Sequence, residues 1–197
     1  MPETYTLGAE GNDVFRNFVI PVPMKKTRYV RAVEMRPGNK RIVHHGEFMI
    51  DRTRVSRTRD RREREPGFEG MISGEATGPY GIFIGWTPGK LPHQSPEGMS
   101  WRLEPGTDVV LQLHLQPSGK PEPIRASVGL YFTDTPPRRF PITMRLGSET
   151  IDIPAGANDY TIRDQYRLPV DVEVLGIYPH AHYLGHTMKG WARLPDG

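Results

Sequence analysis

Histidine is the residue type in this 197-residue chain whose number and spacing point to chemistry. The histidines stand at positions 44, 45, 93, 114, 180, 182 and 186. Imidazole nitrogens bind copper, zinc, iron and nickel, and the chain has no Cys that could supply thiolate ligands, disulfides or a thiol nucleophile. The nucleophile-elbow, phosphate-loop and zinc-protease motifs are also absent from the sequence. A histidine-ligated metal site is therefore the first hypothesis.

The pair His180 and His182 is separated by one alanine in a strand-like segment. Residues at i and i+2 of a strand point to the same face, about 7 Å apart, so that two imidazoles can converge on one metal. Two exposed histidines, or two histidines with partners in a core, would give the same pattern. The pair on its own leaves both interpretations open.

His44 and His45 are adjacent in the segment RIVHHGEFMI. Neighbours on a regular strand face opposite ways, so both can reach one metal only where the strand bulges. Gly46, which follows them, would permit such an irregularity. His114 lies on the polar face of the strand-like segment 108–117, between Gln112 and Gln116, where a lone histidine usually faces solvent.

Many short strands are predicted to position these side chains, because 21 Gly and 20 Pro interrupt the chain and no helical periodicity appears. We expect an all-β protein of two successive antiparallel β-sandwich (jelly-roll-like) domains, the second incomplete, divided into residues 1–137 and 138–197 at the linker DTPPRR. The charged segment 52–65 is expected to be a solvated loop. The predicted strands are 14–23, 28–35, 41–50, 78–89, 108–117 and 125–133 in the first domain, and 141–147, 149–154, 160–169 and 172–185 in the second.

The bulk properties make several partners improbable. The net charge is +3, and acidic residues interrupt the basic run at 52–65, so nucleic acid is not an expected partner. No apolar run approaches the ~20 residues that a membrane-spanning helix needs. The N-terminal sequence does not resemble a signal peptide, and the chain stops at a turn-like LPDG, which suggests that it is a fragment of a longer protein.

In this order, the motifs resemble those of the type II copper, ascorbate-dependent monooxygenases, the family of dopamine beta-monooxygenase and peptidylglycine alpha-hydroxylating monooxygenase. The order is His-His, then W-x-P-G, P-x-G, L-Q-x-H, and finally H-x-H followed by L-G. The matching segments are IVHHGEFMI (42–50), GWTPGKLPHQSPEGM (85–99), VLQLHLQPSGK (110–120) and YPHAHYLGHTMKGWARLPDG (178–197).

The resemblance implies two copper ions in two β-sandwiches. It makes His44, His45 and His114 ligands of the first copper, which stores and passes an electron. It makes His180 and His182 ligands of the second copper, where dioxygen reacts with a substrate C–H bond. Gln112 matches a family Gln and could hydrogen-bond near the first copper. The implied co-substrates are ascorbate, O2 and a small molecule, and the implied location is extracytoplasmic.

Three departures from the family pattern bear on this expectation. The family's second copper also takes a Met from a strand downstream of H-x-H, and Met188 is too near His182 in sequence to be that residue. Either a longer parent protein supplies the Met, or the second site of this chain is incomplete and the isolated chain is inactive. The animal enzymes carry disulfides, which a chain without Cys cannot form. In the peptide-amidating enzyme an Arg two residues before H-x-H binds the substrate carboxylate, and Tyr178 stands there in this chain.

Two other functions remain open at this level. The first is a non-catalytic copper- or zinc-binding β-sandwich of a larger redox protein, because a set of three histidines also suits zinc. The second is a plain jelly-roll module that binds carbohydrate or protein through Trp86, Trp101 and Trp191, although aromatic residues in strands are more often in the core. His93 and His186 match no ligand position and are expected to be ordinary surface histidines. The alternative for His186 is that it replaces a missing ligand, on the same side as His182, if the strand continues past Gly185.

Overall fold

The computed structural model describes residues 1–181 and 184–197. The chain divides into two compact units, Met1–Met144 and Arg145–Gly197. The domain boundary predicted at residue 137 from the linker sequence remains a prediction.

The first unit is built from antiparallel strands, which confirms the expected all-β class. In chain order, the strands of the described residues are β1 (Tyr5–Leu7), β2 (Val14–Pro21), β3 (Arg28–Arg36), β4 (Val43–Asp51), β5 (Phe68–Glu69), β6 (Ile84–Trp86), β7 (His93–Gln94), β8 (Trp101–Leu103), β9 (Asp108–Leu115), β10 (Glu122–Ile124) and β11 (Ser127–Thr133). The longer strands coincide with predicted ones, whereas the two- and three-residue strands β1, β5, β7, β8 and β10 were not predicted.

Strand β9 is the centre of a five-stranded sheet with the order β5-β2-β9-β4-β6. A four-stranded sheet faces it, in which β11, β7 and β8 all pair with β3. The short strands β1 and β10 pair with each other. These antiparallel sheets form a β-sandwich, as the regular alternation of apolar residues along β9 predicts.

The core lies between the two sheets and uses one face of β9. Val109, Leu111, Leu113 and Leu115 all point into it, where each is at most 2% exposed. Trp101 packs against Phe48 in the same core, with a ring-centroid distance of 5.8 Å and an interplanar angle of 52°. Trp86 is buried as well, so two of the three tryptophans proposed for a binding surface are core residues.

The opposite face of β9 is covered in part by β5 and the segment that follows it. Phe68 of β5 and Ala76 pack there on Val110 of β9, in a small second layer. Hydrogen bonds hold this segment to the sheet, because Asn17 Nδ2 donates to the carbonyl of Gly70 at 2.8 Å. The outer face of the sheet is thus closed over its middle and is left more open towards His114.

The charged segment 52–65 was expected to be a loop, and this is wrong for part of it, because Val55–Asp60 forms a short helix, α1. The cause is the buried carboxylate of Asp51 at the end of β4. It accepts hydrogen bonds from the backbone N–H groups of Thr53, Arg54 and Ser56, at 2.7–3.0 Å. The first turn of a helix leaves its backbone N–H groups without a partner inside the helix. Because the Asp51 carboxylate accepts from such groups, it nucleates the turn.

The strands predicted for residues 141–185 are not formed in the described part of that range. Their alternating pattern is present, but an alternating segment becomes a strand only when a neighbour takes up its N–H and C=O groups. No such ladder joins the described residues of 145–197, and apolar side chains such as Val170 and Ile177 are exposed.

No helix in the described residues is long and apolar enough to cross a membrane.

Candidate metal centre

Three of the predicted ligands meet at one end of the five-stranded sheet. His45 of β4 lies directly opposite His114 of β9, and Val43 lies opposite Leu115. Two positions on β4 therefore correspond to a single step on β9, and His44 is the extra residue of a bulge between Val43 and His45. Because the bulge turns the extra residue, His44 and His45 can present their rings to the same side, as the sequence required.

Gly46 does not have the role that the sequence suggested for it. It pairs regularly with Leu113 and with Trp86, and its φ is not positive. A Cβ at this position would lie 2.6 Å from Cε and 2.7 Å from Sδ of Met35. The glycine therefore makes room for the partly buried side chain of Met35, while the extra residue of the bulge, His44, lies two residues earlier.

The three imidazoles meet around Nδ1 of His45. Nδ1 of His45 lies 3.1 Å from Nδ1 of His44 and 3.3 Å from Nδ1 of His114. One ligand nitrogen from each ring lies within 4.8 Å of the other two. Two imidazole nitrogens bound to one tetrahedral metal at ~2.0–2.1 Å are roughly 3.3 Å apart, so these separations fit a shared metal ion.

Asp13 orients the ring of His114 from outside the cluster. Its Oδ2 lies 2.7 Å from Nε2 of His114 and accepts a second hydrogen bond, from Nε2 of Gln116 at 3.1 Å. Phe15 stacks on the same imidazole, with centroids 4.2 Å apart and an interplanar angle of 13°. A neutral imidazole whose Nε2 carries the proton has its lone pair on Nδ1, which is the nitrogen that faces His45.

The pKa of Asp13 reflects this position. The hydrogen bond from Gln116 is the largest cause of a pKa below the usual value for an aspartate, burial opposes it, and the hydrogen bond from His114 adds to the lowering. The carboxylate is therefore ionised at neutral pH. Sequence reasoning missed Asp13, because a single Asp in a Gly-Asn-Asp turn carries no spacing signal towards a histidine 101 residues away.

Gln112 lies on the same face of β9 as His114, but its amide is engaged elsewhere. Nε2 donates to Oδ1 of Asn17 at 2.9 Å and to the carbonyl of Met71 at 3.0 Å. The side chain is buried. The alternation of the strand thus predicted the face on which Gln112 lies, whereas its hydrogen bonds hold the segment after β5 on the sheet.

The cluster is accessible from solvent. His44 is exposed, and His45 and His114 are half-buried at the edge of the sandwich. A metal ion or a small reductant can therefore approach from the side of His44, while the rings of His114 and Phe15 form a fixed wall.

The remaining predicted ligands lie in the second unit. His180 is exposed, and its ring centroid lies 6.0 Å from that of Tyr178. His182 lies outside the described residues. Met188 is exposed, as is His186, whose Nδ1 lies 3.0 Å from Oγ1 of Thr187. The convergence of His180 and His182 on a metal stays a prediction.

His93 was expected to be an ordinary surface histidine, and it is instead half-buried in β7, opposite Val33. Burial lowers its pKa, and the nearby charge of Lys90 lowers it further. It lines a small cavity of about 80 Å³ together with Met35, Phe48 and Trp86. His93 does not belong to the histidine cluster found among the described residues.

In comparisons with known proteins, no protein-family model and no curated protein matches this chain.

Proposed function

We propose that this chain is a copper-dependent monooxygenase that hydroxylates a C–H bond with O2 and with ascorbate as reductant. In this proposal His44, His45 and His114 hold the electron-storing copper, and His180 and His182 are ligands of the second copper. The observation that carries the proposal is the convergence of three imidazoles in the first unit, where Nδ1 of His44 and Nδ1 of His114 lie 3.1 and 3.3 Å from Nδ1 of His45. The order of the motifs along the chain supplies the link to the reaction.

The donor set suits copper for a chemical reason. Neutral imidazoles bind copper in both oxidation states, and a site of three ligands leaves coordination positions open. When bound, copper supplies one-electron redox chemistry for the reaction R–H + O2 + 2e⁻ + 2H⁺ → R–OH + H2O, with ascorbate as the source of both electrons. The chain has no thiol that a redox copper could oxidise.

In this scheme the residues of the chain bind the metal and orient its imidazole ligands. The bulge at His44 turns two neighbouring imidazoles to one side, and Asp13 directs Nδ1 of His114 to the same point. The exposure of His44 gives ascorbate access to the site. No proton transfer is assigned to a side chain.

The proposed substrate is a small molecule other than a peptidylglycine. Tyr178 stands where the peptide-amidating enzyme has its carboxylate-binding Arg, and a phenol lacks the positive charge that pairs with a carboxylate. An extracytoplasmic location and fusion to further redox domains in a longer parent chain belong to the same proposal.

The alternative is a non-catalytic metal-binding module. The same three imidazoles and the carboxylate paired with His114 also suit zinc, which favours histidine ligands whose second nitrogen is hydrogen-bonded to a carboxylate. Such a module would bind a metal without passing electrons. Reduction of the bound metal by ascorbate separates the two functions.

The first experiment measures bound copper and the electron paramagnetic resonance spectrum of the Cu(II)-loaded chain. We expect a type II signal with nitrogen hyperfine structure from the first site. The double variant His44→Ala/His114→Ala should lose this signal and its copper. His180→Ala/His182→Ala should lose only the second copper. His93→Ala and His186→Ala are the matched controls, because each removes a histidine outside the cluster.

The second experiment adds ascorbate to the Cu(II)-loaded chain without oxygen. Loss of the Cu(II) signal, followed by oxygen-dependent consumption of ascorbate in air, supports the monooxygenase. A wild-type chain that retains no copper would overturn the monooxygenase, and a chain that retains neither copper nor zinc would overturn both functions. Copper that stays in the Cu(II) state in the presence of ascorbate would support the non-catalytic module.

A further inference from the structure

We propose that Asp13 is a positioning residue for the histidine cluster. In this proposal Asp13 fixes the tautomer of His114 and favours the more highly charged state of the bound metal. This inference rests on the proposed function for the nature of the metal. The tautomer that Asp13 imposes can be measured without any metal. The inference therefore has one part that depends on copper and one that does not.

The placement of Asp13 follows from the pairing of β2 with β9. Val14 lies opposite Leu115 and Phe15 lies opposite His114. Asp13, directly before β2, is thus brought beside the side chains of His114 and Gln116, which point to the same face of β9. Its Oδ2 is 2.7 Å from Nε2 of His114 and 3.1 Å from Nε2 of Gln116.

The carboxylate of Asp13 is fixed in orientation as well as close to His114. Gln116 donates to the same oxygen that faces His114, so the carboxylate keeps its orientation from a second side. Phe15 restricts the imidazole by stacking against it at 4.2 Å. The His114 ring therefore has a stacking partner on its face and an acceptor at one nitrogen, while its other nitrogen lies 3.3 Å from Nδ1 of His45.

The chemical consequence concerns the single proton of a neutral imidazole. An ionised carboxylate accepts but does not donate, so it selects the tautomer with the proton on Nε2. The lone pair of His114 is then on Nδ1, at the point where the three rings converge. A carboxylate hydrogen-bonded to a ligating imidazole also raises the basicity of that ligand, which stabilises Cu(II) more than Cu(I).

Two substitutions separate the hydrogen bond from the charge. Asp13→Asn keeps an acceptor of the same shape and removes the negative charge. Asp13→Ala removes both. Glu10→Gln is the matched control, because it removes an exposed negative charge from the same loop, three residues away. Both positions are exposed, and the thermal unfolding of each of the three variants checks that it folds.

The first measurement records the ring ¹⁵N shifts of His114 in the metal-free chain, at about pH 8.5, where an ordinary imidazole is neutral. We expect the Nε2–H tautomer in the wild type, in Asp13→Asn and in Glu10→Gln. Asp13→Ala should show a mixture of both tautomers. An unchanged Nε2–H tautomer in Asp13→Ala would overturn the positioning role.

The second measurement determines the Cu(II) and Cu(I) affinities and the reduction potential. Loss of such a carboxylate typically lowers metal affinity 10- to 100-fold. We expect Asp13→Ala to lose Cu(II) affinity in this range. For Asp13→Asn we expect a tenfold loss for Cu(II) with Cu(I) affinity unchanged, which raises the potential by about 59 mV. Glu10→Gln should leave both affinities and the potential as in the wild type.

The outcomes distinguish this inference from the proposed function. If the wild type binds no copper, the proposed function fails, and the ¹⁵N measurement still decides whether Asp13 fixes the tautomer. If the wild type binds copper and Asp13→Asn has the same potential as Glu10→Gln, the tuning role of Asp13 is wrong and the copper site stands.

Discussion

The two ends of the β4–β9 strand pair carry polar side chains of opposite character. At one end Asp51 lies directly across from Asp108, and both carboxylates are fully buried. At the other end His45 lies across from His114 at the edge of the sandwich. The same two strands thus end in a pair of aspartates at one end and, at the other, in the histidine cluster that is proposed to bind a metal.

The chain itself provides the partners of the acidic pair. Asp51 accepts hydrogen bonds from Thr53, Arg54 and Ser56, and Asp108 forms two hydrogen bonds with Arg57, at 2.5 and 2.6 Å. Two acidic residues across a strand pair would repel each other, and these donors offset the repulsion. The result is a structural cluster that organises α1.

At the histidine end, ring nitrogens face each other, with Nδ1 of His44 and Nδ1 of His114 at 3.1 and 3.3 Å from Nδ1 of His45. The carboxylate of Asp13 lies 2.7 Å from the outer nitrogen of His114. Imidazole nitrogens at this distance from one another are stabilised when a metal cation binds between them. The comparison suggests a general distinction. Polar side chains whose ring nitrogens face one another are candidates for binding a ligand, whereas carboxylates that accept hydrogen bonds from the chain stabilise the fold.

The largest effect is expected at the acidic end. Asp51→Ala leaves several backbone N–H groups without their acceptor and should lower the free energy of unfolding by about 3 kcal/mol. Urea denaturation followed by circular dichroism measures this. Asp134→Ala, which removes an exposed aspartate, should change it by less than about 0.5 kcal/mol. Equal effects of the two substitutions would show that the Asp51 cluster is not structural.

At the histidine end we expect stability to depend on metal. Free Cu(II) at 100 times its dissociation constant should raise the free energy of unfolding by about 2.7 kcal/mol, because the folded cluster binds it. His114→Ala should lose this increment and remain folded without metal. Denaturation with and without Cu(II) is the measurement. A full increment in His114→Ala would place the copper elsewhere.

The acidic end should also weaken in acid. Burial alone would raise the pKa of Asp51, but hydrogen bonds from Thr53 and Ser56 outweigh it and lower the pKa from 3.8 to about 2. A lowered pKa in the folded state gives stability that is present above about pH 4 and is lost as the pH falls through 2. The loss should be about 2 kcal/mol.

Denaturation midpoints between about pH 5 and pH 2 test this expectation. Asp51→Asn should flatten the decline across the same window, because its side chain does not titrate. A decline of the same size in Asp51→Asn would assign the acid sensitivity to other carboxylates.

The smallest effect is expected beside the bulge. A methyl group at residue 46 would lie 2.6 Å from Cε of Met35 and 3.0 Å from Cδ2 of Leu113. The ends of these side chains can move, so Gly46→Ala should cost about 1 kcal/mol of unfolding free energy and leave copper affinity unchanged. In a Met35→Ala background the cost should shrink, because the crowded atoms are gone. A large loss of copper in Gly46→Ala would mean that the glycine shapes the bulge itself.

Local pattern predicted much of the first unit. The alternation of β9 is visible in the sequence, and Val109, Leu111, Leu113 and Leu115 point into the core as expected. The need for a bulge at His44 and His45 also followed from the geometry of adjacent residues, and the bulge is present. The helix at Val55–Asp60 was not predicted, because its nucleating carboxylate precedes it in a strand.

The sequence by itself determined the residue types, the all-β class and the faces on which the histidines stand, because these depend on neighbours within a few positions. Only the tertiary structure decided which of them meet. His45 and His114 are 69 residues apart, and Asp13 is 101 residues from the imidazole that it orients. Such contacts depend on strand order and register. Because these are set by the packing of the whole sandwich, no short stretch of the sequence predicts them.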